Sequence, residues 1–492
     1  MSLTIRLFAA IMVCLLADAK AQLVMRGDFP DPSVTKIGDT YWASATTSNW
    51  APVYPLLSST DLENWEMRGH VFTELPEWAD YYFWAPEISY ENGKVYIYYS
   101  AHQKGGNLCL GIASADKPEG PYEDHGPLMC QKVGSIDAFP MRDENGKLHL
   151  IWKEDGNSAG KPTPIWICEL AEDRKSLIGE KKELFRNDAS WESNLVEGVS
   201  MIRKGDYFYA FYAAAGCCGL DCTYATGIAR ARNLLGPWEK YSQNPILVSD
   251  NEWKCPGHGT PIEHEEKFYF LYHAYDDDGS VYAGRQGLLR EFEFTSDGWI
   301  RFTDNELGNK KQENIHDEFD TDQVSPLWQW SVFQKPAFEL DKGKLVIHPD
   351  TTGLAYLGHK SFQADYRVRT RIDLAASSAA AGLAAIGDEK NRIVASVQNG
   401  KIQVWKTRMG KDTLIVEENV SVRENIVLEM KVDKGSRITF RCSVNGKSFK
   451  VINRRPIDGA FLPPWDRAIR IGLISQGRRD QKAVYENFIL YH

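Results

Sequence analysis

One pattern recurs five times in the first three hundred residues, and no other feature limits the fold of this chain so strongly. Each copy runs polar residue, short strand, tight turn, aromatic strand. The copies are DPSVTKIGDTYWASA from Asp31, WAPEISYENGKVYIYYSA from Trp84, DAFPMRDENGKLHLIWK from Asp137, EGVSMIRKGDYFYAFYA from Glu197 and HGTPIEHEEKFYFLYHA from His258. Turns such as Asn92-Gly93 and Asn145-Gly146 suit hairpins, because positive φ is cheap there. A further strand pair follows each copy, as at Gly111 and Gly227. A period of about 50 to 60 residues is the size of one four-stranded propeller blade. The reading is all-β, a five-bladed β-propeller over residues 22–308. A sandwich built from the same hairpins would have no reason for the period.

Register turns the repeat into a site. Asp31, Glu197 and His258 each precede an aromatic residue of the second strand by ten positions (Tyr41, Tyr207 and Phe268), and Asp137 stands at nearly the same place. The first strand of every blade lines the central channel, so equivalent positions converge on one ring despite their separation in sequence. Four titratable groups on that ring form a candidate site.

After Gly308 the texture changes. Lys310-Lys311-Gln312-Glu313-Asn314 reads as a linker. Beyond it period-2 alternation dominates: Leu428, Met430 and Val432, then Ile438, Phe440, Cys442 and Val444 before Asn445-Gly446. That pattern indicates half-buried antiparallel sheet, so residues 309–492 read as linker plus a β-sandwich of jelly-roll type.

Arg6 followed by the apolar stretch Leu7 to Ala17 and two small-x-small sites reads as a signal peptide over residues 1–21, cleaved after Ala21. The stretch is too short to span a bilayer, and no later run is long enough, so the expectation is a secreted or periplasmic protein with no membrane span. The cluster Cys217, Cys218 and Cys222 lacks the partner spacing of a metal site; a disulfide or free loop thiols explain it better. A net charge of -10 argues against a nucleic-acid partner and suits a neutral ligand. Aromatic residues at 12% can fill sheet cores or stack on sugar rings.

Cleaving a glycosidic bond takes two carboxyl groups flanking the anomeric carbon, one protonated and one ionised. Keeping one protonated takes burial or a nearby negative charge. Asp31, Asp137 and Glu197 on one ring supply all three parts. Glu192, five residues before Glu197, precedes the strand and reads as a loop residue.

The motifs Asp28-Phe29-Pro30-Asp31-Pro32-Ser33, Trp84-Ala85-Pro86-Glu87, Ile136-Asp137-Ala138-Phe139, Val196-Glu197-Gly198, Gly257-His258-Gly259 and Gly284-Arg285, in this order and at blade spacing, resemble the family 43 glycoside hydrolases. The resemblance implies Asp31 as general base, Glu197 as general acid and Asp137 as the carboxylate that tunes and orients the acid. It further implies inversion of configuration and substrate contact by Arg285, with a structural ion pair as the alternative. Trp84 suits a sugar-pocket wall, because an indole face matches the C–H face of a ring, with ordinary strand packing as the alternative. Trp50, in a first-blade loop, is a second candidate wall. The chemistry needs no cofactor. The family's equivalent of His258 helps ligate a channel cation, largely through waters, so a structural calcium or sodium ion is the expectation there; a hydrogen-bonded structural histidine is the alternative. Glu197-Gly198-Val199 departs from the family's frequent Glu-Gly-Pro. Asp317-Glu318-Phe319-Asp320 with Trp328-Gln329-Trp330 resembles the concanavalin-like sandwich appended to many family members; a structural role is favoured for it over sugar binding.

The resulting expectation is an exo-acting, inverting glycoside hydrolase that releases a terminal pentose from plant cell-wall carbohydrate, with α-L-arabinofuranose favoured. The alternatives are a β-D-xylosidase of the same family and a non-catalytic carbohydrate-binding propeller; the latter predicts loss of a catalytic carboxylate, and all three are present. The Asn-Asp-Pro, Arg-Asp-Pro and Glu-Cys motifs of retaining fructan-cleaving propellers are missing from the corresponding positions. Sequence leaves the oligomeric state open.

Overall fold

The computed structural model describes residues 21–278, 280–303, 314–351, 353–422 and 424–492. The leader assigned to residues 1–21 lies outside them apart from Ala21, as does the assigned linker apart from Asn314.

Five antiparallel sheets form the N-terminal body. The first blade is Ser33–Ile37, Thr40–Ser44, Val53–Ser59 and Glu66–Phe72, and the second runs from Ala79–Glu91 to Glu123–Cys130. The third and fourth begin with Ser135–Arg142 and Val196–Lys204. The fifth is built on Trp253–His264, Lys267–Asp276 and Arg285–Phe294, and its outer place is filled by the first described strand, Gln22–Met25, paired to Arg285–Phe294. The start of the chain therefore closes the ring that its repeats open.

The repeat extends to packing. In the second blade Trp78 stacks on Tyr99 at 5.8 Å over Gly111, where a Cβ would lie 2.5 Å from the Tyr99 ring. In the fourth blade Trp191 and Tyr212 stand 5.8 Å apart over Gly227. A glycine in the third strand is what lets each aromatic pair lie flat on its sheet.

Every blade also carries a left-handed residue at the equivalent point of its innermost strand. These are Asp31, Ala85, Asp137, Gly198 and His258, with φ between 37° and 61°. In blades two to five the ladder slips at this point, between Trp84 and Glu87, Ile136 and Phe139, Glu197 and Ser200, and Gly257 and Gly259. Such bulges bend the strand and re-aim its side chains. They correct the expected register: the residue equivalent to Asp31 and His258 is Gly198, with Glu197 one position earlier.

The C-terminal body packs a nine-stranded and a six-stranded antiparallel sheet face to face, beginning at Ile315–Asp317 and ending at Ala483–Tyr491. The two bodies join through a small sheet, where Trp330–Ser331 pairs with Trp50–Ala51 of the first blade. One apolar cluster runs from Tyr54 and Phe83 through Trp328 and Trp330 into Leu357, Leu383 and Ile471. Burial of that continuous surface makes the sandwich part of the same solid as the propeller.

Candidate active site

At one mouth of the channel the bulges open a cavity of about 470 Å³, a usual size for small-molecule sites. Asp31, Asp137 and Glu197 all line it, as do Trp84, His258 and Arg285. Six of the seven residues singled out from the sequence thus meet. The three carboxyl residues are only 9%, 7% and 8% exposed, so the cavity is their route to solvent.

Asp31 stands among donors. Arg285 Nη1 lies 3.1 Å from its Oδ1, and Thr46 Oγ1 donates to its Oδ2 at 2.6 Å. The Asp31 backbone N–H donates to His273 Nδ1 at 2.9 Å. An Nδ1 that accepts this bond carries no proton, in keeping with burial lowering His273 to about 4. His258 Nδ1 faces Asp31 Oδ1 at 3.5 Å. Burial pushes the Asp31 carboxyl up, but Arg285, His273 and His258 acting together outweigh this and hold it well below the usual carboxylate range.

The opposite side is organised by Lys153, buried at the end of the strand Leu148–Glu154. Its Nζ lies 2.6 Å from Glu197 Oε2 and 2.9 Å from Asp155 Oδ1. Tyr224 donates its hydroxyl to Glu197 Oε1 at 2.8 Å. Burial raises Glu197, and the ammonium overcomes that, leaving it below its ordinary value. Asp137 behaves oppositely. It accepts the Gly198 N–H at 2.9 Å, and burial pushes it up to about 6, partly opposed by His258 and reinforced by the charge of Glu197. Of the two neighbouring carboxyls, Asp137 is the one that burial lifts, while Lys153 sits on Glu197. Gly198 admits this closeness, since a Cβ there would lie 2.7 Å from His258 Cγ at a φ of 61°.

Glu192 is fully buried in the short 3₁₀ turn Ser190–Glu192, where it accepts bonds from Tyr212 and Lys240. It precedes the strand Val196–Lys204 as expected, and there it serves as a buried structural anchor.

Trp50 is not brought to the cavity. It is 2% exposed, donates its Nε1 to Ala468 O at 3.3 Å and packs on Tyr356 and Ile474. Pairing of its strand with Trp330–Ser331 turned the expected wall into the seam between the bodies. The sandwich supplies a wall in its place. Trp465 and Asp466 line the cavity, Asp466 Oδ2 accepts from Trp84 Nε1 at 3.2 Å and from Ser48 Oγ, and the Asp466 carbonyl accepts from Arg285 Nη2 at 3.0 Å. The Trp465 ring meets Trp84 edge-on at 5.8 Å.

Cys217 and Cys218 line the rim and are bonded to each other, while Cys222 is bonded to Cys255 of the fifth blade; Cys109 pairs with Cys130. Among the described residues, no three His, Cys, Asp or Glu side chains gather as a metal-ligand set. His258 offers one imidazole, and the carboxylate it faces is already paired with Arg285, so a cation here would have His258 as its protein ligand and waters for the rest.

Sequence reasoning missed Lys153, Tyr224, Thr46, His273, Trp465 and Asp466. Lys153 left a readable signal, a lone cation closing the apolar run Leu148-His149-Leu150-Ile151-Trp152. Asp466 left none.

Residues 21–300 match the family described as "Glycosyl hydrolases family 43", and residues 316–463 match "Beta xylosidase C-terminal Concanavalin A-like domain". The chain is 28% identical over 270 residues to a xylan 1,3-beta-xylosidase of a Vibrio species, covering 51% of this chain and 48% of that protein. It is 26% identical over 317 residues to an extracellular exo-alpha-(1->5)-L-arabinofuranosidase of Cellvibrio japonicus, covering 57% of this chain and 88% of that one. The chain thus spans about half the length of the Vibrio relative. A solved structure of a GH43 protein of Bacillus licheniformis superposes with a TM-score of 0.82 at 22% identity, over 96% of this chain and 100% of that one. No described helix is long and apolar enough to cross a membrane.

Proposed function

Because the chain belongs to glycosyl hydrolase family 43, we propose that it is an exo-acting, inverting glycoside hydrolase that removes a terminal α-L-arabinofuranosyl unit from plant cell-wall polysaccharide or its oligosaccharides. The observation that carries this reading is the convergence of Asp31, Asp137 and Glu197 on one cavity whose side is closed by Trp465 and Asp466. A pocket walled in this way suits a chain end better than a chain interior.

Asp31 is the general base. Arg285 and Thr46 keep it ionised and fix its oxygens, so it takes the proton of a water attacking the anomeric carbon. Glu197 is the general acid, its carboxyl oriented by Lys153 and Tyr224. Asp137 and Glu197 titrate together; below about pH 6 the pair holds one proton, and the leaving oxygen receives it from Glu197. Trp84 offers its face to the sugar's C–H face, and Arg285 its guanidinium to a hydroxyl. No step passes through a metal. A calcium or sodium ion near His258 would take its other ligands from water and serve the fold. Export through a leader over residues 1–21 accords with the extracellular Cellvibrio relative.

Release of β-D-xylose is the second reading, favoured by the beta-xylosidase-type sandwich and the Vibrio relative. Hydrolysis of 4-nitrophenyl α-L-arabinofuranoside against the β-D-xyloside, with NMR of the released anomer, separates the two. A preference for the furanoside with inverted product is expected; a retained anomer would overturn the mechanism.

A further inference from the structure

A file of aromatic rings leaves the cavity and crosses to the sandwich. Inside the mouth Trp84 stacks on Tyr82 at 4.3 Å. Tyr82 meets Tyr81 edge-on at 4.7 Å, and Tyr81 approaches Phe333 of the sandwich at 6.0 Å. Neither Tyr81 nor Phe333 lines the cavity, so the catalytic reading makes no use of them.

The arrangement is built, and at a cost. Successive side chains of a regular strand point to opposite faces. Here the ladder of Ala79–Glu91 slips on both sides of Tyr81, and Tyr82 adopts a φ of 55°, so neighbouring tyrosines stand side by side. Left-handed backbone at a bulky residue is strained and persists only where its surroundings hold it. Asn49 Oδ1 does so by accepting the Tyr82 N–H at 2.9 Å. His102 stacks on Tyr81 at 4.0 Å and is itself fixed by Asp80 at 2.8 Å. Phe333 is 53% exposed, and its turn is tied to the joining sheet: its N–H donates to Ser331 Oγ at 3.2 Å, and Ser331 belongs to the strand pair that joins the two bodies. A large apolar ring held firmly in water beside a second ring, and continuous with the cavity wall, is a platform awaiting a flat, partly apolar ligand.

We infer that Tyr81 and Phe333 form a distal carbohydrate subsite that carries the polymer chain beyond the bond being cut. The inference rests on the glycosidase reading above and names the part of its substrate that lies outside the pocket. Sugar units present C–H faces to such rings, and the Asp80–His102 pair at the edge offers hydrogen bonds to hydroxyls.

Phe333→Ala and Tyr81→Ala test it, with melting temperature as the check on folding. For pentose oligosaccharides of increasing length, KM should rise roughly three- to tenfold once the chain reaches the platform, the ratio expected for losing some tens of Å² of apolar contact. The 4-nitrophenyl glycoside, too short to reach it, should keep its wild-type kcat/KM. Equal effects on short and long substrates, or none on the long ones, overturn the subsite. Retardation in a soluble arabinoxylan gel, with both changes placed on Glu197→Gln, reads binding without turnover. If the wild-type protein hydrolysed no glycoside yet Phe333→Ala still abolished retardation, the catalytic reading would fall and the subsite would stand. A change in sedimentation coefficient with no change in retardation would assign the face to a second copy of the chain and overturn the proposal.

Discussion

The two sides of the cavity are built from the same structural device and do opposite electrostatic work. In the first and third blades a left-handed aspartate opens the innermost strand, Asp31 in one and Asp137 in the other. Asp31 meets Arg285 and the Thr46 hydroxyl, so its charge is stabilised and its carboxyl lies well below the usual range. Asp137 meets one backbone N–H, while the nearest ammonium, Lys153, bonds to Glu197 instead. Burial therefore pushes Asp137 up to about 6. One backbone position holds a carboxyl whose pKa is lowered on one side and one whose pKa is raised on the other. What differs is which cation lies within reach: Arg285, with the histidines beside it, offsets the burial of Asp31, and among the described residues no cation bonds to Asp137.

The largest test of this contrast separates the two halves by leaving group. Asp31→Asn should cost roughly 10² to 10⁴ in kcat on every glycoside, since no water is activated. Glu197→Gln should cost as much on an unactivated oligosaccharide and far less on a 4-nitrophenyl glycoside, whose leaving group departs without a proton. Equal losses for Glu197→Gln on both substrates would remove the acid assignment.

Next in size is the cation of the base side. Arg285→Met leaves Asp31 buried without its partner, so its pKa rises and ionisation needs a higher pH. The acidic limb of kcat/KM should move up by roughly one to three pH units. An unmoved limb would mean that Arg285 does not set the state of Asp31.

Lys153→Met is the counterpart on the acid side. The ammonium lowers both Glu197 and Asp137, so its loss should let the pair hold its proton to higher pH. The alkaline limb, expected near pH 6 in the wild type, should move upward while the acidic limb stays in place. A shift of the acidic limb alone would contradict the pairing.

The smallest effect is on stability, where the halves should carry opposite signs. Asp31 has a folded pKa below its unfolded one, so its contribution is present above about pH 4 and is lost progressively as pH falls from there towards the folded pKa. Asp137 has a folded pKa above its unfolded one, so protonation stabilises the fold, and stability declines as pH rises from about 4 to about 6. Melting temperature against pH for Asp31→Asn and Asp137→Asn should flatten the two segments separately.

Particular residues show how far the sequence could be read. The five copies exposed the propeller because a hairpin's turn chemistry and strand alternation are local, and local rules repeat visibly when the unit repeats. The same alternation marked the sandwich. Asp31, Asp137 and Glu197 were legible because they open their strands in recognisable motifs. Alignment by aromatic spacing nevertheless put Glu197 one place out of register, since Gly198 is the left-handed residue and a bulge is invisible to a count of apolar positions. Trp50 looked like a wall and became a seam, and Trp465 with Asp466 became the wall, for one shared reason. Both depend on how the sandwich docks, a contact between segments some four hundred residues apart, and alternation patterns carry no information about such docking.

The sequence by itself determined that the chain is a ring of five hairpin-based blades followed by a sandwich, and that carboxylates from separate blades would meet. Repetition and period reside in consecutive residues, where backbone sterics and side-chain alternation act. Only the tertiary structure decided in which direction each carboxyl is shifted, because that turns on cations arriving from other strands, Arg285 and Lys153, at distances of about 3 Å. It alone likewise decided that the second body completes the pocket. Charge and shape at a site are set by neighbours in space, and those become neighbours only once the ring is closed.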